Sequence, residues 1–381
     1  MNLAYVTNYD PLEIKNWSGL SYYIAQTLKQ QSIPLEYLGP LKDKFFLKAM
    51  RKSKHHFNDF FYRKRYLKDP EPIILKEYAK QVYQKLSEIK TDIVFSITPN
   101  PIAYLECDQP KVFWADSTFA AMLNFYPHYS NLCKETIKHG HLVENLVLQK
   151  CQLAIYASEW AARSAIEDYN ADPSKVKVVP FGANLENHQS FDEIKDLIES
   201  RPSNKCKLLF LGVDWFRKGG DIAFEVTKAL NQSGLDTELT IVGCKPIIDE
   251  PLPSYVKHLG FISKSIREGQ QKISQLLADS HFLILPSRAE CFGVVFCEAS
   301  SFGVPSLATK AGGIPTAVTD NVNGKLFTLD ANINEYCKYI SDLFINYSEY
   351  KKLALSSFHE YKSRLNWTIA GQTVKNLLMN L

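Results

Sequence analysis

Short apolar runs alternate along the chain with longer stretches in which apolar positions recur every three or four residues. The first pattern reads as buried strand and the second as amphipathic helix. In the first half, strands are expected at residues 3–7, 35–39, 93–97, 111–115, 153–157 and 176–180. Helices are expected at 19–31, 71–89, 131–150 and 159–169. Residues 185–205 lapse into a polar, hinge-like stretch, after which the alternation restarts. The second half then offers strands at 207–213, 238–242, 281–286, 305–309 and 325–328. Its helices fall at 220–231, 266–279, 293–302, 334–346 and 349–361, and a short amphipathic helix closes the chain at 367–381. Strand, helix, strand in regular succession is the pattern of a parallel sheet covered by helices. Two such doubly wound α/β units fit better than one sheet. The expected domains are 1–190, 191–362 and a C-terminal helix, 363–381, returning to the first domain.

Length agrees, since 381 residues exceed what one ordinary core organises. With 45% hydrophobic and 22% charged residues, the chain has the balance of a globular protein rather than a disordered one. The absence of a long apolar run and of a leader gives a cytoplasmic location as the expectation. Eight cysteines, with no Cys-x-x-Cys pair, are expected to be reduced and mostly buried, and no metal site is expected. Lys plus Arg is 44 against 41 Asp plus Glu, a near-balance that hides one local excess. Residues 42–68 hold ten lysines and arginines, two aspartates and seven aromatics. That segment would suit an anionic membrane surface, a charged acceptor or a nucleic acid, and equally a solvated helical face with its aromatics in the core.

Ligands of open parallel sheets bind beyond the carboxyl ends of the strands, so the chemistry is sought in the loops that follow them. The most informative segment, 281–318, runs HFLILPSRAECFGVVFCEASSFGVPSLATKAGGIPTAV. A buried strand leads through Arg288-Ala289-Glu290-Cys291-Phe292 into a helix near Phe292–Val294, where Gly293 allows close backbone approach to an anion. Glu298, about a turn and a half further on, can reach back towards the same crevice and accept from a pair of ribose hydroxyls. Glu290 can accept from sugar hydroxyls. The plain alternative is that both are solvated carboxylates. Arg217 and Lys218, at another strand end beside Gly219-Gly220, make a diphosphate-binding arrangement, and the Gly312-Gly313 loop follows a third strand.

Glu290-x7-Glu298 followed by Gly312-Gly313-Ile314-Pro315 resembles the signature of retaining glycosyltransferases of family 4, which have the GT-B fold of two Rossmann-like domains facing across a deep cleft. The resemblance extends to Lys218-Gly219 and to Pro180-Phe181-Gly182-Ala183-Asn184. It implies transfer of a hexose-type sugar, with retention and without a metal or cofactor, from a UDP- or GDP-sugar to a hydroxyl of a saccharide or lipid-linked glycan. It further implies that Glu298 binds the ribose, that Lys218 and Arg217 bind the diphosphate, and that Glu290 with the backbone of Phe292, Gly293 and Val294 binds the donor sugar. Val213, Thr316 and Asn184 stand where the family commonly has Arg, Glu and Asp.

The first half would bind the acceptor. Gly19 opens a helix and resembles the family glycine that approaches the donor phosphate, although a glycine at a helix start also has a plain structural use. Asp116, at a strand end, resembles a residue near the reacting sugar and could orient the acceptor hydroxyl. It could equally cap the next helix, as could Ser117 or Thr118. Three readings follow: a glycosyltransferase; an epimerase or other enzyme on the same fold; or a basic membrane- or RNA-binding module with an inactive site. Nucleic acid is not the expected partner. Peripheral contact with the inner face of the membrane through 42–68 is an accessory expectation.

Overall fold

The computed structural model describes residues 1–185, 189–249 and 251–381. They form two compact units, Met1–Pro180 with Ala370–Leu381, and Phe181–Ile369. The first is built on β1 (Leu3–Val6), β2 (Leu35–Tyr37), β3 (Ile93–Ser96), β4 (Lys111–Ala115), β5 (Leu153–Tyr156) and β6 (Val176–Val178). All pair in parallel, in the order β2-β1-β3-β4-β5-β6. β1, β3, β4 and β5 are buried along their whole length, which is why they read as unbroken apolar runs rather than alternating ones.

The second unit repeats the plan with β7 (Cys206–Gly212), β8 (Thr237–Gly243), β9 (Val256–His258), β10 (Phe282–Leu285), β11 (Ser306–Thr309) and β12 (Gly324–Phe327). Their order is β12-β11-β10-β7-β8-β9, again parallel. The chain therefore winds outward from β7 in one direction, then returns to β10 on its other side. The loops leaving β7 and β10 diverge at that switch point, and the ends of neighbouring strands open a crevice between them.

Two elements differ from expectation. The stretch read as hinge-like contains a helix, Phe191–Ser200, started by a capping box in which Ser190 Oγ accepts from Glu193 N at 3.3 Å and Glu193 accepts from Ser190 N at 2.7 Å. Its polar outer face hid Ile194 and Ile198, one turn apart and buried. β9 was missed because three residues, two of them exposed, carry no readable period. The basic segment 42–68 centres on a helix, Phe45–Tyr62, in which only Leu47 is fully buried, so its aromatics do not supply a core. The last helix, Trp367–Met379, packs closely on Leu20–Gln30: a Cβ on Gly371 would lie 2.4 Å from Thr27 Cγ2, and Lys375 Nζ donates to Gln31 O at 2.9 Å. No disulfide joins the eight cysteines, and five of them are buried. Among the described residues no helix is long and apolar enough to cross a membrane.

Candidate active site

The loop after β7 is shaped by Asp214, whose carboxylate accepts from Arg217 N at 3.0 Å while its carbonyl accepts from Lys218 N at 3.1 Å. Gly219 then turns into the helix Gly220–Gln232 with φ +76°. A Cβ there would lie 2.3 Å from Pro286 O, so the glycine is required both by handedness and by the approach of the β10 loop. The two loops are stitched together. Arg288 N donates to Arg217 O at 2.7 Å, Arg217 Nη1 donates to Ala289 O at 3.0 Å, and the Arg288 guanidinium forks onto Asp221 at 2.8 and 2.7 Å.

This stitching brings Lys218 and Arg217 to Glu290. Lys218 Nζ is hydrogen-bonded to Glu290 Oε2, and Arg217 Nη1 lies 3.8 Å from the same oxygen. The third loop joins through Gly313 N, which donates to Glu290 O at 3.0 Å. Three strand-end loops of one sheet thus meet at one residue, two at its carboxylate and the third at its backbone carbonyl. Glu290 is 9% exposed and Glu298 1%, which overturns the reading of either as an ordinary solvated side chain.

Glu298 lies in the helix Val294–Ser301, whose start is set by Gly293 at φ +87°. Any Cβ at Gly293 would meet the Phe296 ring at 2.5 Å. The Glu298 carboxylate is held by Lys264 Nζ through Oε1. Burying a carboxylate is costly unless it is paired, and Lys264 supplies the pair. Sequence reasoning missed Lys264. It follows β9, so recognising that strand would have marked its loop as a strand-end loop like the others. Phe292, named for its backbone, is fully buried, with its ring edge-on to Phe181 at 5.5 Å. Asn184 accepts from Trp367 Nε1 at 2.9 Å, a use that an amide carbonyl serves without burying a charge. Val213 is exposed.

Gly19 and Asp116 belong to the first unit. Gly19, φ +85°, follows Trp17 and Ser18 at φ +47° and +55°, three successive left-handed residues. For the two that are not glycine, this conformation costs on the order of 1 kcal/mol each. Asp116 does not cap the helix Phe119–Met122; Thr118 does, accepting from Ala121 N at 3.1 Å. Asp116 instead accepts from Ser117 Oγ at 3.2 Å. Together with burial, the larger cause, the Asp69 and Asp116 charges push the Tyr9 phenol above its usual range. Ser158 caps the helix Glu159–Tyr169. Among the described residues, Glu71, Glu135 and His139 come together as a metal-like group, but Lys54 Nζ already bridges the two carboxylates at 3.0 and 2.7 Å.

Residues 191–357 match the family model described as glycosyl transferases group 1. The chain is 28% identical over 207 residues to a D-inositol 3-phosphate glycosyltransferase of Segniliparus rotundus, covering 50% of this chain and 46% of that one. It spans about half the length of the curated relatives it matches. Among solved structures it resembles sucrose-phosphate synthase from Thermosynechococcus elongatus, with TM-score 0.69 and 13% identity over 100% of this chain and 98% of that one. It also resembles Anabaena HepE in complex with UDP and glucose, with TM-score 0.63 and 17% identity over 100% and 99% of the two chains. The fold is thus GT-B in class, with two Rossmann-like units.

Proposed function

We propose that this chain, whose residues 191–357 carry the group 1 domain, is a glycosyltransferase that moves a hexose-type sugar from a UDP- or GDP-sugar to a hydroxyl of a saccharide or lipid-linked glycan. The observation that carries this reading is the convergence of Lys218, Arg217 and the Gly312-Gly313 loop on Glu290, beside a helix start and a buried, paired Glu298. Two cations and oriented backbone dipoles at one strand end are suited to a diphosphate. Charge that develops on a leaving diphosphate is stabilised by preorganised donors, without any reorganisation at the moment of reaction.

In this reading Lys218 and Arg217 take the diphosphate, and Glu298 accepts from the ribose hydroxyls. Glu290, with the backbone of Phe292, Gly293 and Val294, holds the sugar. The cations do the electrostatic work that a divalent ion does elsewhere, so transfer needs no metal. Retention of configuration, as in family 4, is part of the proposal. The domain spanning 191–362 is assigned the donor, and the one spanning 1–190 the acceptor, with 363–381 as its returning helix. Asp116 orients the acceptor hydroxyl. At Gly19 the left-handed turn is the kind of strained backbone that persists where function requires it. The UDP held by HepE supports a nucleotide-sugar donor.

The test is a panel of nucleotide-sugars, scored for thermal protection and for donor hydrolysis or transfer. A true donor raises the melting temperature by mass action. Glu298→Ala and Lys218→Ala are expected to abolish turnover while circular dichroism stays native. Near wild-type transfer by both variants would refute the site assignment, and donor epimerisation without acceptor would refute the reaction.

A further inference from the structure

The helix Phe45–Tyr62 has three faces when its residues are placed at about 100° each. Leu47, Met50, Arg51, Lys54 and Asn58 face inward, where they are buried or half-buried. Arg51 pairs with Asp43 at 3.2 Å, and Lys54 with Glu71 and Glu135, so polar contacts anchor the helix to the first unit. Phe45, Phe46, Ala49, Phe57 and Phe60 share an arc of about 120° on the outside, with Phe45 87% and Phe60 80% exposed. Lys48, Lys52 and His55 line one edge of that arc with Asp59 among them, all exposed. Beyond the C-terminal end follow exposed Arg63, Lys64 and Arg65.

From this arrangement we infer that the outer face of Phe45–Tyr62 is a docking surface for an anionic lipid bilayer, with the phenylalanines entering the headgroup region and the flanking lysines meeting lipid phosphates. Exposed rings gathered at both ends of one helix face, with Ala49 between them, are unfavourable in water and are matched by an apolar phase. An aromatic stripe flanked by lysines is the composition of a helix lying in the membrane interface. Two alternatives fit less well. A second copy docked through the same face would bring the exposed Lys48, Lys52 and Arg63-Lys64-Arg65 of each copy against those of the other. A single-stranded nucleic acid calls for rings interleaved with cations along a groove, whereas here no lysine or arginine falls within the arc of the rings. The inference is independent of the donor site, because it concerns another surface and is tested without a sugar nucleotide.

The full chain is mixed with phosphatidylcholine vesicles, alone or containing phosphatidylglycerol, and the bound fraction is read by flotation. Binding is expected only to the anionic vesicles and to weaken in high salt. Each lysine near such a surface contributes about 5-fold in partition, so Lys48→Gln with Lys52→Gln should lower it on the order of 30-fold. Phe45→Ser with Phe60→Ser should abolish stable binding while the thermal melt remains unchanged. No partition of the wild type into anionic vesicles would overturn the inference. So would unaltered binding by the phenylalanine variant, dimerisation in light scattering that this variant abolishes, or binding to homopolymer RNA in place of vesicles.

Discussion

Acidification should move the stability of the two units in opposite directions. In the first unit, Glu144 is buried on the helix Lys134–Lys150, accepting from Phe119 N at 3.2 Å and Tyr156 Oη at 3.3 Å. Burial raises its pKa from 4.5 to about 7, against the lowering effect of those two bonds. The folded chain then keeps a proton that the unfolded chain has released. The stability Glu144 contributes is full below its unfolded pKa and is lost as pH rises through 7. In the second unit, His281 accepts from Lys207 N at Nδ1 at 3.0 Å and donates from Nε2 to Pro202 O at 3.0 Å, which fixes the neutral ring. Burial first, then the nearby Arg201 charge, lower its pKa from 6.5 to about 3. Here the unfolded chain binds a proton that the folded one refuses, so stability is full above 6.5 and is lost as pH falls. At 1.36 kcal/mol per unit of pKa difference, going from about pH 8 to about pH 5 gives the first unit about 3 kcal/mol and takes about 2 kcal/mol from the second. Hydrogen exchange, corrected for its intrinsic pH dependence, reads each unit through core amides of β4 and β5 or of β7 and β10. Glu144→Gln should flatten the first profile and His281→Gln the second. Profiles that move together, or that the substitutions leave unchanged, would refute the assignment.

Arg201, nearly fully buried, donates to Phe302 O at 2.8 Å, Gly303 O at 2.7 Å and Tyr350 Oη at 2.8 Å, closing the end of the helix that carries Glu298. Arg201→Met should cost about 3 kcal/mol by denaturant titration, because it leaves buried carbonyls without a donor. Lys264→Met leaves the buried Glu298 carboxylate without its partner and should lower stability by about 3 kcal/mol in chemical denaturation. Ser190→Ala removes one half of a capping box and should lower stability by about 1 kcal/mol in chemical denaturation.

The strands and the strand-end loops were legible because buried parallel strands are written as unbroken apolar runs, and because Gly219 and Gly293 stand where the chain must turn left-handed into a helix. Nothing local in the sequence marks that Lys218 and Glu290, 72 positions apart, share a hydrogen bond. Their meeting follows from the strand order β10-β7, which the position of both at strand ends made foreseeable. The Phe191–Ser200 helix was written in the sequence as Ser190-x-x-Glu193 ahead of Ile194 and Ile198, and the surrounding polar residues obscured it. Lys264 was beyond reach because a three-residue edge strand has no period to detect. The basic segment was legible as charge and aromatics, but which side the rings face depends on tertiary packing: six face outward and Tyr66 is buried.

The most direct test of the proposed donor site is calorimetric titration of UDP and GDP into the wild type, Lys218→Met and Glu298→Gln. A charge-assisted bond lost at the diphosphate costs about 1.5–3 kcal/mol, so Lys218→Met should weaken nucleotide binding on the order of 10- to 100-fold. Glu298→Gln should erase the preference for the nucleotide over inorganic pyrophosphate. Failure of the wild type to bind either nucleotide, or equal affinity in all three proteins, would contradict the placement of the donor at the ends of β7, β10 and β11.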